Sequence, residues 1–429
     1  MAGRLRTSIN IGLNNGLRQS ISGGVAVALV LKNLITQGGD QLITQSGDTL
    51  TGNVRQSVTG GASGQFASAV ALAFLEYTTV ANTSTFTLRA ASGSNNYEVD
   101  WGDGTVQSYT STAPTHTYAS AETYTIKITP AEGSTYNPQF THALSETSIA
   151  EIDGTGGTSL TSLYFGFWGA SNLTSISSNI DTSNVTNFRL AFAVNSSLTT
   201  FPLIDTSSGT DFGSAWYGCS GIGGSFPLIN TSSGTEFGGA WRDCSGITTF
   251  PLINTSSGTS FNRAWNNCSG LTTFPVLDTS SGTNFGFAWN NCSGLTTFPA
   301  LDFSSATEVG QAWNGCSDLV SFPSVDFSSV TGSFRRTWYF DTSLTTYPAN
   351  QFDNISSTPS NGFQDAWRSC ALTAQSIENI LTSLDTNGQQ NIQLGINGGT
   401  NAAKTTWSTA ANTAYNNLIT KGWTISFNS

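Results

Sequence analysis

Charged residues are scarce in this chain. They make up 10% of its 429 residues, whereas a typical soluble protein has about 25%. The 15 basic and 26 acidic residues leave a net charge of −11, which argues against nucleic acid or an anionic membrane as the main partner. Long apolar runs are missing too. The best one, from Val25 to Leu31, is far shorter than the roughly 20 residues that a membrane span needs.

Recognisable catalytic motifs are also missing. The chain has two histidines, His116 and His142, and both lie outside the repeats described below. It contains no phosphate-binding loop, zinc-protease motif or nucleophile elbow. A carboxylate pair for sugar hydrolysis stays open, because two such residues need only be close in space. We therefore expect a protein that is not an enzyme and needs no cofactor or metal ion.

Apolar and aromatic residues are plentiful by contrast. Apolar residues make up 38% of the chain and include 26 Phe and 11 Trp, so a large core can form and disorder is not expected. The remainder is dominated by uncharged polar residues and by 45 Gly. This composition favours stacked β-structure with surface loops, and we predict a mainly β fold.

A repeated pattern runs through residues 159–370 with a period of 24 or 25 residues. In the clearest copy Asp278 opens a turn, Trp289 precedes Cys292 by three residues, and Phe298 precedes a proline. Degenerate copies at both ends bring the total to nine. One copy cannot bury its own apolar face, so the copies must stack, with backbones about 4.8 Å apart. The Trp and Cys pairs are Trp216/Cys219, Trp241/Cys244, Trp265/Cys268, Trp289/Cys292, Trp313/Cys316 and Trp367/Cys370.

One copy carries a specific family resemblance. Residues 181–200 read Asp-Thr-Ser-Asn-Val-Thr-Asn-Phe-Arg-Leu-Ala-Phe-Ala-Val-Asn-Ser-Ser-Leu-Thr-Thr. This closely resembles the BspA-like leucine-rich repeat, with the pattern DTSNVTxMxxMFxxCxxLTxL, although this chain places Ala-Trp where the family usually has Met-Phe. The resemblance covers about half of the chain. It implies a leucine-rich-repeat-type solenoid, which bacterial and protist surface proteins and phage virion proteins use for binding or display.

The six cysteines follow the period of the repeat. An even number of cysteines in a secreted protein could form disulfides. Here the period places them in one internal column, where Cys behaves as a small apolar residue. Stacked residues keep their Cβ atoms near 4.8 Å apart, longer than the roughly 3.8 Å of a disulfide. We predict free, buried thiols, and a spacing of 24 residues does not suit a zinc site.

Residues 78–133 have a different pattern. The strand from Tyr97 runs into Trp101-Gly-Asp-Gly, and His116-Thr-Tyr and a strand from Tyr124 follow. This resembles the PKD-type β-sandwich, a spacer or adhesive module, although Ala121-Glu122 replaces the usual Pro-Gly. Two acidic residues of the turn, Asp100 and Asp103, could bind calcium or cap the turn, and we favour capping. By the same resemblance, His116 packs inside the sandwich and is not catalytic.

The two ends of the chain differ again. Residues 46–54 resemble the GGTLTGxL element of phage tail fibres, which implies that residues 1–77 attach to a virion and oligomerise, with a trimer favoured. The other interpretation is an ordinary β-turn. Residues 134–158 are a linker or N-terminal cap. Residues 371–429 resemble an α/β solenoid cap. In that cap we predict helices over 376–384 and 410–419 and strands over 391–396 and 421–427.

The two residues between Trp and Cys vary while the surrounding pattern holds. Variable polar positions on a rigid repeat are typical of a recognition strip, although a solvated loop would look the same. Such side chains could bond sugar hydroxyls. The candidate strip contains Tyr217, Arg242, Asp243, Asn266, Asn267, Asn290, Asn291 and Asn314.

These features together predict a bacteriophage virion protein, most simply a tail fibre or similar appendage that contacts host-surface glycan or protein. The lack of a recognisable export signal favours assembly in the host cytoplasm and location in the virion. Two alternatives stay open: a capsid decoration or head-fibre protein, and an adhesin on the bacterial cell surface.

Overall fold

The structure is a computed structural model. It describes residues 75–79, 83–94, 96–131, 134–139, 149–154 and 160–429. The chain divides after Leu72 into two compact units. The first unit, which includes the tail-fibre-like element at residues 46–54, lies outside the described residues, and so does His142. The described part of the chain is mainly β and contains two α-helices.

The second unit begins with eight strands. They are β1 (Leu75–Thr79), β2 (Thr83–Thr87), β3 (Tyr97–Asp100), β4 (Val106–Tyr109), β5 (Thr115–Glu122), β6 (Thr125–Pro130), β7 (Ile149–Gly154) and β8 (Ser175–Ile176). Six of them form a sheet in the order β4-β3-β6-β1-β7-β8, and β2 pairs with β5 in a second sheet. The pairs within β4-β3-β6-β1-β7 are antiparallel, and β8 joins β7 in parallel.

Alternating apolar residues explain these strands. In β3, Tyr97 and Val99 are buried while Glu98 between them is half-buried, and β6 buries Ile126 and Ile128 in the same alternating way. Trp101, at the end of β3, is fully buried and meets the Phe86 ring of the second sheet edge-on at 6.5 Å. The two sheets therefore share one apolar core.

The larger sheet continues beyond residues 78–133. Strand β7 lies within the stretch 134–158, and its Ile152 pairs in parallel with Ile176 of the first repeat copy. The ring of Tyr77 on β1 also meets Phe167 of that copy edge-on at 6.3 Å. Strand pairing and core packing thus connect this sheet directly to the repeats.

Parallel bridges connect the first seven repeat copies, each to the next. They link one residue per copy, and linked residues are 24 or 25 positions apart. Two short strands, β9 (Gly224–Ser225) and β10 (Ile247–Thr249), pair in parallel elsewhere in the repeat. Consecutive copies therefore lie in parallel register, as their period predicts. The bridged residues are Ser162, Asn187, Asp211, Glu236, Ser260, Asn284 and Glu308.

Aromatic rings form columns through these copies. From Trp216 to Trp367 the indole rings of neighbouring copies lie 4.9–5.9 Å apart between centroids and are nearly parallel. A second column runs from Phe201 to Tyr347, and its rings meet the indoles edge-on. Because each buried aromatic removes roughly 150–250 Å² from water, these columns dominate the stability of the repeats.

The C-terminal helices and strands predicted from the sequence are confirmed. They are α1 (Ala374–Asn387), β11 (Gln393–Gly395), a 3₁₀ turn (Lys404–Thr406), α2 (Thr409–Thr420) and β12 (Thr424–Ser426). Side chains of Thr373 and Ser408 cap the two helix N-termini, and Gly388 ends α1 with a left-handed backbone. Leu394 bridges in parallel to Phe363, and β12 pairs with β11, so these elements cover the last repeat copy. Neither helix, nor any other in the described residues, is long and apolar enough to cross a membrane.

Candidate functional site

The candidate surface is built on an eight-residue stretch of each repeat copy, which we call the Trp segment. Positions 1, 4, 5 and 8 point inward and hold, in most copies, Phe, Ala, Trp and Cys. Side chains at positions 2, 3, 6 and 7 mostly face outward. The nine Trp segments are 163–170, 188–195, 212–219, 237–244, 261–268, 285–292, 309–316, 334–341 and 363–370.

An alternating hydrogen-bond pattern fixes this arrangement. In one segment the N–H groups of Phe212, Ser214 and Trp216 each donate to the next copy at 2.8 Å. The N–H groups of Ala215 and Tyr217 donate three residues back within the same copy, at 3.0 and 3.1 Å. At positions 3 and 7 the backbone is left-handed in all nine copies, with φ between 55° and 78°. The backbone N–H groups of the Trp segment are therefore engaged in hydrogen bonds within a copy or between neighbouring copies.

The left-handed backbone explains part of the sequence variation between Trp and Cys. Position 7 holds Gly, Asp or Asn in most copies, and these residues tolerate positive φ better than others. Asp243, Asn267 and Asn291 occupy this position in three neighbouring copies. Their side chains also bond each other: the Asn291 amide donates to Asn267 at 3.0 Å, and the Asn267 amide donates to Asp243.

Two members of the predicted recognition strip do not face solvent. Asn266 and Asn290 are only 8% and 7% exposed, and the Asn266 amide donates to the Asn290 side-chain oxygen at 2.9 Å. Burial of a polar side chain needs such a partner, so these amides serve the stack and not a ligand. Their inclusion as display residues was wrong. Tyr217, Arg242, Asp243, Asn267 and Asn314 are half-buried, and Asn291 is exposed.

The outward positions have a composition found nowhere else in the repeats. Every basic residue between residues 160 and 373 lies there, and all six are arginines. Every aromatic side chain of these residues that is not buried lies there too. We call this surface the Arg–aromatic face. Its members are Arg189, Arg242, Arg263, Arg335, Arg336, Arg368, Tyr164, Phe165, Trp168, Tyr217, Phe287, Tyr339 and Phe340.

Only part of this face was predictable from the sequence. Positions 6 and 7 vary next to the Trp and Cys signature and were predicted, whereas positions 2 and 3 were not. The available signal was the confinement of all repeat arginines to one eight-residue stretch of the period. Arg263 and Phe287, both at position 3, were missed for this reason.

Arginines and aromatic rings contact each other across the face. The guanidinium carbon of Arg242 lies 4.9 Å from the Tyr217 ring centroid, and that of Arg263 lies 4.6 Å from the Phe287 centroid. Arg336 lies 5.4 Å from the centroid of the Tyr339 ring. Such cation–π contacts are worth about 0.5–1 kcal/mol at exposed sites, and they hold both partners in place.

Some arginines also meet carboxylates. Arg242 approaches Asp243 at 3.5 Å, and Arg336 and Arg368 approach Asp365 at 3.4 and 3.6 Å. These arginine side chains are 38–45% exposed, so each pair contributes little to stability. Within the described part of the chain, no carboxylate pairs with Arg263 or Arg335.

The cysteine prediction is confirmed. All six thiols are free and buried, and each donates to a backbone carbonyl of an earlier copy, as Cys268 does to Trp241 at 3.0 Å. Burial raises the pKa of Cys219 and Cys292 to about 12, and it raises the pKa of Cys268 well above its usual value. The thiolate is therefore not populated near neutral pH, and these residues serve packing.

The acidic turn after β3 forms the predicted capping bonds. Asp100 and Asp103 each accept from a backbone N–H two residues ahead, at 3.0 Å. Asp103 also lies 2.7 Å from the His116 ring nitrogen, and this ring stacks on Trp101. Burial opposes ionisation of Asp103, but hydrogen bonds from His116 and Thr105 outweigh it and lower the pKa of Asp103. Among the described residues, no group of three or more His, Cys, Asp or Glu could hold a metal ion.

Comparison of the chain with protein-family models, curated proteins and solved structures gives no match.

Proposed function

We propose that this chain is a non-enzymatic bacteriophage virion protein, a tail fibre or similar appendage, that displays a repeat scaffold to the host surface. The observation that carries the proposal is the confinement of exposed arginines and aromatic rings to one side of a stack of similar copies. A regular stack that varies at a few outward positions is typical of repeat proteins that bind extended partners.

We further propose that residues 159–370 form a BspA-like leucine-rich-repeat solenoid of about nine coils. Support comes from the parallel bridges at intervals of 24 or 25 residues and from the stacked Trp, Phe and Cys positions. A rigid scaffold suits a receptor-binding appendage, because side chains that are already fixed lose little entropy on binding.

The remaining segments receive supporting roles. Residues 1–77 attach to other virion proteins and oligomerise, with a trimer favoured, and residues 78–133 form a PKD-like spacer. Residues 134–158 and 371–429 cover the two ends of the solenoid, whose last copy would otherwise expose an open β-edge. The covering of Phe363 by Leu394 and Trp423 supports the C-terminal role.

Immuno-electron microscopy tests the proposal. Antibodies against residues 159–429 are applied to virions purified from the source lysate, with pre-absorbed antibody as the control. Label at tail appendages is the expected result. Label on the capsid would replace the tail fibre by a capsid decoration or head fibre. Label on uninfected cells and none on particles would make the protein a bacterial adhesin and overturn the proposal.

A further inference from the structure

We propose that the Arg–aromatic face binds an acidic polysaccharide whose sugar rings carry carboxylates. This inference rests on the proposed display function and names the ligand class of the displayed surface. Folding does not require arginines and aromatic rings to be confined to these outward positions, because the buried core is complete without them.

Charge complementarity selects an anionic ligand. The chain carries −11 overall, whereas the outward positions of the Trp segments hold six arginines against two carboxylates, Asp243 and Asp365. A carboxylate directly precedes three segments (Asp211, Glu236 and Glu308), and Asp211 approaches Arg189 at 4.0 Å, so the arginines still outnumber the carboxylates. All six cations are arginine and none is lysine. The planar guanidinium donates two parallel hydrogen bonds that match a carboxylate, whereas an ammonium acts as a point charge.

Two arginines are available for such bonds. No carboxylate of the described residues pairs with Arg263 or Arg335, and Arg263 is exposed and held over the Phe287 ring. The Nε atom of Arg335 is buried and has no hydrogen-bond partner among the described residues. Because that atom is shielded from solvent, bonds to a ligand would come from the outer guanidinium nitrogens of this half-buried side chain.

The aromatic rings favour a sugar polymer over an acidic peptide. Tyr217, Phe287 and Tyr339 lie in separate copies and are half-buried, each with an arginine over its ring, so the exposed part of each ring can contact the apolar side of a sugar. A peptide would instead gain most from backbone pairing. That route is closed on this face, because its N–H groups already bond within the stack. Repetition of the copies about every 4.8 Å suits an extended chain of sugars.

Direct binding of the purified full chain tests the proposal. The probes are polygalacturonate and alginate, which carry only carboxylates, dextran sulfate, neutral dextran, and poly-glutamate as the acidic peptide. Biolayer interferometry at several salt concentrations gives the dissociation constants. We expect at least one of the two polyuronates, polygalacturonate and alginate, to bind, with an affinity that falls as the salt concentration rises. Neutral dextran should bind at least tenfold more weakly.

Variants locate the site. Arg263→Gln and Arg335→Gln should each weaken polyuronate binding roughly tenfold, the change expected when one pair of charge-assisted hydrogen bonds is lost. Lys127→Gln removes the same charge from strand β6, away from the face, and should leave binding unchanged. Phe287→Ala keeps every charge and should weaken binding severalfold. Near-ultraviolet circular dichroism of the Trp column verifies that each variant is folded.

Four results would overturn the inference: no polyuronate binding, stronger binding of poly-glutamate, binding of dextran sulfate alone, or an equal loss for Lys127→Gln. The virion-labelling experiment is independent of all four. Labelled virions without polyuronate binding would leave the display function standing and remove this ligand class. Polyuronate binding with label only on bacterial cells would keep this ligand class and remove the virion display function.

Discussion

Asp341 accepts a hydrogen bond from the backbone N–H of Cys316 at 2.8 Å, inside the cysteine column. Its side chain is fully buried, and its second oxygen has no hydrogen-bond partner among the described residues. Its neighbours in the column donate to a carbonyl of the preceding copy: the Cys316 thiol to Trp289 at 3.2 Å, and the Asn195 amide to Phe167 at 3.1 Å. An ionised carboxylate cannot donate, and burial raises the pKa of Asp341 well above its usual value.

This position makes stability depend on pH. The unfolded chain releases the Asp341 proton near pH 4, while the folded chain keeps it to higher pH. The free energy of unfolding therefore falls by about 1.4 kcal/mol per pH unit as the pH rises from about 4 towards the folded pKa. We expect Asp341→Asn to raise the free energy of unfolding at pH 7 and to change it little at pH 4. Urea unfolding at the two pH values measures the difference.

A matched control separates burial from loss of charge. Asp278→Asn removes one carboxylate at an exposed turn position where another copy has Asn254. It should leave the free energy of unfolding unchanged at both pH values. If Asp341→Asn gives the same stabilisation at pH 4 as at pH 7, the carboxyl group is not protonated in the folded chain and this account of the column is wrong.

Thiol chemistry gives a second prediction. Because the six cysteines are buried and burial raises their pKa values, iodoacetamide at pH 8 should modify none of them in the folded chain and all six in urea. Intact-mass spectrometry counts the adducts. Mild oxidation of the folded chain should add no disulfide. A mass lower by two hydrogens after oxidation would contradict the stacked arrangement of the thiols.

Periodicity made much of this fold predictable. The positions of Trp289 and Cys292 recur at a fixed interval, and an apolar residue that recurs in this way must lie in a shared core. The first C-terminal helix was found for a similar local reason, the spacing of residues such as Ile377, Ile380 and Leu384. The extent of the first sheet was not found, because the pairing of Ile152 with Ile176 depends on contacts that no local pattern records.

The candidate site was predictable only in part. Variation at Asn266 and Asn290 looked like display, but position 6 is recessed in those copies and the amides bond each other. The left-handed backbone at positions 3 and 7 was also hidden. Position 3 holds residues such as Leu190 and Gln311, which give no sign of positive φ in a sequence.

The left-handed backbone at position 3 gives a third prediction. A left-handed conformation costs a residue with a Cβ atom about 1–2 kcal/mol, whereas glycine adopts it freely and Gly239 already occupies position 3 of another copy. Gln311→Gly should therefore be more stable than Gln311→Ala by about 1 kcal/mol, after allowance for the greater freedom of unfolded glycine. At Asn314, where φ is not positive, the order should reverse. The denaturant midpoints of the Gly and Ala variants at Gln311 and Asn314 measure these differences. The same order of stability at both positions would refute the left-handed backbone at Gln311.

The Trp column gives the last prediction. Trp265 is fully buried between Trp241 and Trp289, so Trp265→Ala leaves a cavity and should cost about 3–5 kcal/mol. Trp265→Phe should cost much less, for two reasons. Phe192 already fills this position in another copy, and the indole N–H of Trp265 is a buried donor with no hydrogen-bond partner among the described residues, so its removal offsets part of the lost packing. Urea unfolding measures both variants. Equal losses for Phe and Ala would mean that the column depends on the indole itself and not on stacked apolar volume.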